Sequence, residues 1–275
     1  MKPFLFALFV LALGGVVPVA AQTPSLIPTV AVAGGVFQQG KRTLDPANPG
    51  RTVTVSAFLL GETVVTQDQY QAVTGSNPSR FKGPLNPVER VSWYDAVAFC
   101  NALSLKEGLA PAYTIDGTSV KWDPSSPGWR LPTEAEFEFA ARGGAKSQGY
   151  SFPGADSAEG VAWGYFNASH RTHVVKELPP NELGLYGMAG NVWQWCWDWY
   201  EFDRSALPST DPRGPDTGSD KVNRGGGWNS DYVDAFRPYY RADDGPDSKE
   251  ADLGFRVARN APVSTSLPAA SPTGG

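Results

Sequence analysis

The stretch Arg224–Arg256, RGGGWNSDYVDAFRPYYRADDGPDSKEADLGFR, decides how this chain is read. Two landmarks, RGG at 224–226 and LGFR at 253–256, bracket an interior rich in Asn, Ser, Asp, Tyr and Arg and poor in aliphatics. No cysteine lies between them. Upstream stand two further signatures in fixed order, RLPTEAEFEFAARGG at 130–144 and GLYGMAGNVWQW at 184–195.

Outward from these landmarks, local signals place the elements. Thr133 with Glu136 three residues on starts a helix that Arg142-Gly143-Gly144 stops. Its Ala135, Phe139 and Ala140 are expected to face the core, whereas Glu134, Glu136 and Glu138 need not all do so. Thr66 with Gln69 predicts a helix over 66–74 ended by Gly75, and Ser92 caps another that Gly108 closes. Gly34-Gly35-Val36-Phe37 opens the domain, and Val53 to Phe58 alternates as a strand does. Tyr113–Ile115 and Val120–Trp122 flank a turn and predict a hairpin. Beyond 145 the chain is turn-rich with short strands, and the sum is an α+β domain.

Composition bounds the rest. The chain has 275 residues, 12% aromatic with nine tryptophans, ample for one sizeable core over 30–260. Lys2, the apolar run Phe4–Val17 and the small residues Val19-Ala20-Ala21 read as a signal peptide over 1–21, with a linker over 22–29. Export, to periplasm or medium, is therefore expected. The last stretch, 261–275, is Pro, Ser, Thr, Ala and Gly and reads as a disordered tail. A net charge of −5 without clustered Lys or Arg gives no footprint for nucleic acid, and no later segment has the length of a membrane span. Cys100 and Cys196 are the only cysteines, and export leaves a disulfide between them open; Cys100 reads first as a small buried helix residue.

Taken together, the three motifs resemble the formylglycine-generating, sulfatase-modifying factor family, and the resemblance runs from about Val30 to Arg259. It implies an elaborated C-type-lectin-like fold. In catalytic members it also implies a cysteine pair between RGG and LGFR that binds copper(I) and activates oxygen. Here those positions fall on Ser230 and on or beside Ala235. A soft ion is poorly served by a hydroxyl or a methyl, so no formylglycine-generating chemistry is expected, and the chain reads as a pseudoenzyme. The family's calcium site near GNVWEW maps its side-chain ligands onto Gly187 and Gln194, which lack the carboxylates a hard cation wants, so no cofactor is expected and at most weak calcium binding is left to this site; a second family calcium site falls in about 155–175 and stays open. Relatives with a cysteine at the Cys100 position pair it just after LGFR, where this chain has Val257.

Several residues invite a functional reading. Trp193, Trp195, Trp197 and Trp199 would share one face of a strand and are expected in the core, Trp199 nearest the surface. His170 and His173, and likewise Asp203, Asp211, Asp216 and Asp220, read as solvated loop residues. The strongest candidate is a ligand surface made by Trp228, Asn229, Ser230, Asp231, Tyr232, Asp234, Tyr239, Tyr240, Arg241, Asp243 and Asp244. Tyrosine with small polar residues is the composition of binding loops, and its acidity predicts a neutral or basic protein, peptide or glycan. The segment also looks like the hypervariable part of retroelement-diversified lectin-fold proteins, although the chain runs on well past Arg256. The alternatives are a formylglycine-generating oxidase and a structural component of an exported complex.

Overall fold

The structure, a computed structural model, describes residues 25–40 and 50–262. The expected signal peptide over 1–21 and residues 263–275 of the expected tail lie outside the described residues. In chain order come β1 (Thr29–Val32), β2 (Gly35–Gln39), β3 (Arg51–Val55), β4 (Phe58–Gly61), α1 (Gln67–Thr74) and α2 (Trp93–Lys106). Then follow β5 (Tyr113–Asp116), β6 (Ser119–Trp122), β7 (Trp129–Arg130), α3 (Glu134–Ala141) and β8 (Trp193–Trp199). The last strands are β9 (Lys221–Arg224), β10 (Arg241–Asp244), β11 (Leu253–Phe255) and β12 (Ala258–Asn260).

Two four-stranded sheets carry the domain, in the orders β1-β4-β12-β7 and β10-β9-β8-β11, with β2–β3 and β5–β6 as hairpins. Only β11 runs parallel to its neighbour, Leu253 opposite Trp193, and this pairing fastens LGFR to the tryptophan strand. All three helices begin with a reciprocal capping box, from Thr66, Ser92 and Thr133, as their sequences require. These elements make the α+β class of the expected fold.

Four expectations need correction. The domain starts before Gly34, since β1 precedes it and Ile27, in the expected linker, is 1% exposed in the core. The run from Val53 to Phe58 breaks after Val55, because Asp211 accepts hydrogen bonds from both the backbone N–H and the hydroxyl of Ser56 at 2.7 Å. Asp211 is thus a fixed turn residue and not merely a solvated charge. The indoles of β8 are less buried than the residues between them: Trp195 is fully enclosed and Trp193, Trp197 and Trp199 are half-buried, while Gln194, Cys196 and Asp198 are buried. As an inner strand, β8 has core on both faces, with Trp195 in the α1–α2 cluster and Cys196 in the α3 cluster.

The fourth correction concerns α3, whose three glutamates are all buried. Arginines from elsewhere come inward to meet them. Arg224 donates to Glu138 Oε2 at 2.7 Å, Arg142 to Glu138 Oε1 at 2.7 Å, and Arg130 holds Glu136 with both terminal nitrogens at 2.6 and 2.7 Å. Burial pushes the Glu134 carboxyl up, but Arg241, Arg204 and Arg224 more than offset this and bring it to about 2. Both cysteines are free and buried, and burial raises both thiols.

Candidate functional site: a groove beside the triple glycine

β9 ends at Arg224, and the chain leaves it through Gly225 and Gly226 with φ of +96° and +80°. Glycine is needed there for more than its dihedrals. A Cβ on Gly226 would lie 2.7 Å from Phe236 Cδ1, and one on Gly164 would lie 2.4 Å from Phe236 Cζ. Two bare backbones thus form the slot that seats Phe236, at the end of a short 3-10 helix, Val233–Phe236. Ser230 closes a turn, its hydroxyl accepting from Gly227 N at 3.1 Å, and its carbonyl accepts from Tyr165 N at 3.0 Å. That last bond ties the 158–167 loop to the 230–236 segment.

Between the two runs a groove of about 350 Å³, within the range of small-molecule sites. Its wall is mainly apolar, with Phe166 84%, Val233 52%, and Tyr165 and Tyr232 each 45% exposed. Large aromatics this exposed are unusual for a loop with no partner. Glu159 and Asp231 supply the charge, and no basic side chain lines the groove. The Tyr232 ring lies tilted against Tyr240, centroids 5.5 Å apart; burial and the hydrogen bond to Tyr240 raise its hydroxyl pKa.

The residues proposed from sequence do not all meet here. Ser230, Asp231 and Tyr232 line the groove, with Tyr240 behind Tyr232. Asn229 and Asp234 are exposed, and Asp234 pairs with Arg237 at 2.5 Å. Trp228 is wedged against Phe81 and donates to Ala251 O, so it supports the loop. Arg241 is turned inward, gripping Glu134 through two nitrogens, and cannot face a ligand. Asp243 and Asp244 sit on β10, where Asp244 accepts from Asn223 at 2.8 Å. Tyr239 is half-buried and does not line the groove. Tyr165, Phe166, Val233 and Phe236 were not among the residues picked from sequence. The adjacent pair Tyr165-Phe166 in a turn-rich stretch was the available signal.

The side-chain donors implied for copper(I), and for calcium near GNVWQW, differ from those present. At the positions the family gives to sulfur, Ser230 offers a hydroxyl already engaged, and Ala235 is a fully buried methyl. Cys100 and Cys196 lie in other core clusters, so the groove has no thiolate to offer copper(I). At the calcium position near GNVWQW, Gly187 has no side chain to offer, and Gln194 Oε1 accepts from Arg256 Nε at 2.6 Å. Burial lowers Arg256 to about 9, so the guanidinium that holds the Gln194 amide stays charged at neutral pH. Among the described residues no cluster of three His, Cys, Asp or Glu side chains could hold an ion. His173 is no free loop ligand: its ring stacks on Trp163 at 3.8 Å, while His170 is exposed.

The family model of the Sulfatase-modifying factor enzyme 1-like domain matches residues 16–261, and the chain belongs to that family. Chaperone protein LppX of Paenibacillus barcinonensis is 35% identical over 294 residues, covering 94% of this chain and all of LppX. The formylglycine-generating enzyme of Streptomyces coelicolor is 36% identical over 198 residues, covering 66% of this chain, which spans only 55% of that enzyme. Among solved structures, Treponema denticola variable protein 1 superposes with a TM-score of 0.78 at 37% identity, covering 85% of this chain and 95% of that one. Among the described residues no helix is long and apolar enough to cross a membrane.

Proposed function

We propose that the groove between 158–167 and 230–236 binds a polypeptide segment without covalent or redox chemistry. Two observations carry this: neither family cysteine position holds sulfur, Ser230 lining the groove and Ala235 being a methyl buried in the core cluster behind it, and exposed aromatic side chains form the groove's wall. The first removes the oxidising centre, and the second leaves a surface that holds apolar groups. The name borne by LppX, a chaperone protein, fits a domain that grips protein chains.

Glu159 and Asp231 beside the apolar wall select a segment that alternates apolar and basic side chains. Calcium has no part in this reading, because Gly187 and the Gln194 amide, already held by Arg256, offer no carboxylate near GNVWQW. The protein acts after export, on the strength of Phe4–Val17 and Val19-Ala20-Ala21, and N-terminal sequencing of the mature protein should begin at Gln22.

Fluorescence anisotropy with a labelled peptide of alternating Leu and Lys, in chelator, tests the binding. The expected result is saturable binding that Asp231→Asn with Glu159→Gln weakens and that a Leu/Glu peptide does not show. Equal binding of both peptides, or of neither, would refute the assignment.

A further inference from the structure

A second cavity, of about 330 Å³, lies at the far end of β8 and belongs to none of the foregoing. From Trp193, near the groove, to Trp199, on this cavity's wall, is six strand steps, about 20 Å. Its floor is Lys221, 1% exposed, whose ammonium lies 3.7 Å from the Trp199 ring and 3.9 Å from the Trp93 ring. The Lys221 amine has one acceptor, Trp197 O at 2.9 Å, so its other N–H groups face indole and cavity. At the rim the Arg213 guanidinium lies 4.8 Å from the centre of Trp122, and Lys121 stands beside it.

None of these three cations makes an ion pair among the described residues, in contrast to the paired arginines around α3. Asp198, buried beneath, acts on Lys221 only through space, and Asp216 is the single carboxylate on the wall. Burial lowers the Lys221 amine to about 7, so two unpaired cations at the rim and one amine that a bound anion would keep protonated converge on one cavity, and in a chain of net charge −5 this needs a physical account. Cations held on indole faces keep their N–H edges available, and an oxyanion is the group that completes them. The cavity is far larger than an inorganic anion, and half-buried Trp197 and Trp199 supply apolar walls.

We propose that this cavity binds an oxyanion carried on a sugar-sized body, a carboxylate or a sulfate ester, independently of the 230–236 groove. Two sources share that chemistry, an acidic sugar and a sulfated sugar. Titration of the full-length protein by intrinsic tryptophan fluorescence, with D-glucuronate, D-glucose 6-sulfate, D-glucose and inorganic sulfate as probes, separates them. The expected result is a saturable change with one or both charged sugars and none with glucose at the same concentration. Arg213→Gln, an exposed position with only a ring contact to lose, should raise Kd about tenfold, and Lys121→Gln should raise it less. The proposal is overturned if neither charged sugar binds, if glucose binds as well, or if inorganic sulfate binds as tightly as the charged sugars. It is equally overturned if both variants bind as the parent does.

Discussion

The face of α3 and the 230–236 groove are joined through β9, yet they are built on opposite terms. Around α3, carboxylates and guanidiniums are buried and matched: Arg224 to Glu138, Arg241 to Glu134, Arg130 to Glu136. Around the groove, aromatic rings stand exposed, and Glu159 and Asp231 have no basic side chain on the same wall. One region spends its charges on itself, whereas the other leaves its surface open to something else. The landmark motifs therefore report the scaffold, because RLPTEAEFEFAARGG and RGG are the two halves of the charge lock. The proposed function rests on the stretch where the landmarks are silent.

The sharpest way to break that contrast is Arg224→Met. It leaves the buried Glu138 Oε2 without its guanidinium, only Oε1 keeping Arg142, and removes a backbone tie to Pro238, so chemical denaturation should show a loss of about 3–5 kcal/mol. Loss of the native near-UV signal with it would be consistent, whereas a change under 1 kcal/mol would show the lock to be ornamental.

The pH dependence should separate the same two regions. Glu134 has a native value near 2 against 4.5 ordinarily, so its contribution is fully present above about 4.5 and is lost as pH falls through 2. Asp252, packed under Gly227 at the edge of the loop, is raised by burial to about 6 against 3.8. Its contribution is present below about 3.8 and is lost as pH rises through 6. Glu134→Gln should flatten the stability curve on the acid side. Asp252→Asn should remove a decline of about 1–3 kcal/mol between pH 4 and 6, both read from urea midpoints.

A smaller effect is expected from Gly226→Ala. Its φ of +80° and the 2.7 Å approach to Phe236 should cost about 1–3 kcal/mol and unseat that ring, so peptide affinity should fall with stability. Smallest in stability is Phe166→Ala, at 84% exposure. It should leave the denaturation midpoint within about 0.5 kcal/mol while weakening the Leu/Lys peptide at least tenfold. Unchanged affinity would move the binding surface elsewhere.

Local rules made much of the fold legible. Three capping boxes, the 113–122 hairpin and the α+β class follow from neighbouring residues, whose chemistry acts over a turn or two. What stayed hidden depends on long-range partners. Glu134 and Glu138 look like surface residues until Arg241 and Arg224 arrive from a hundred residues or so later. In the same way Arg241 looked like a ligand contact because its sequence neighbours are polar, while its true partner is Glu134. Half of the groove was legible in Ser230, Asp231 and Tyr232. The other half, 158–167, is brought there by Tyr165 N to Ser230 O and by the Gly164–Phe236 contact, and nothing in the local sequence announces either.

Oxygen uptake by the purified protein, loaded with copper(I) and given a cysteine-containing peptide, tests the central claim most directly. With Ser230 and Ala235 in place of thiolates, the account predicts a rate no greater than that of copper and peptide alone, in protein that still binds the Leu/Lys probe. Protein-dependent uptake coupled to conversion of the peptide's cysteine into an aldehyde would contradict it.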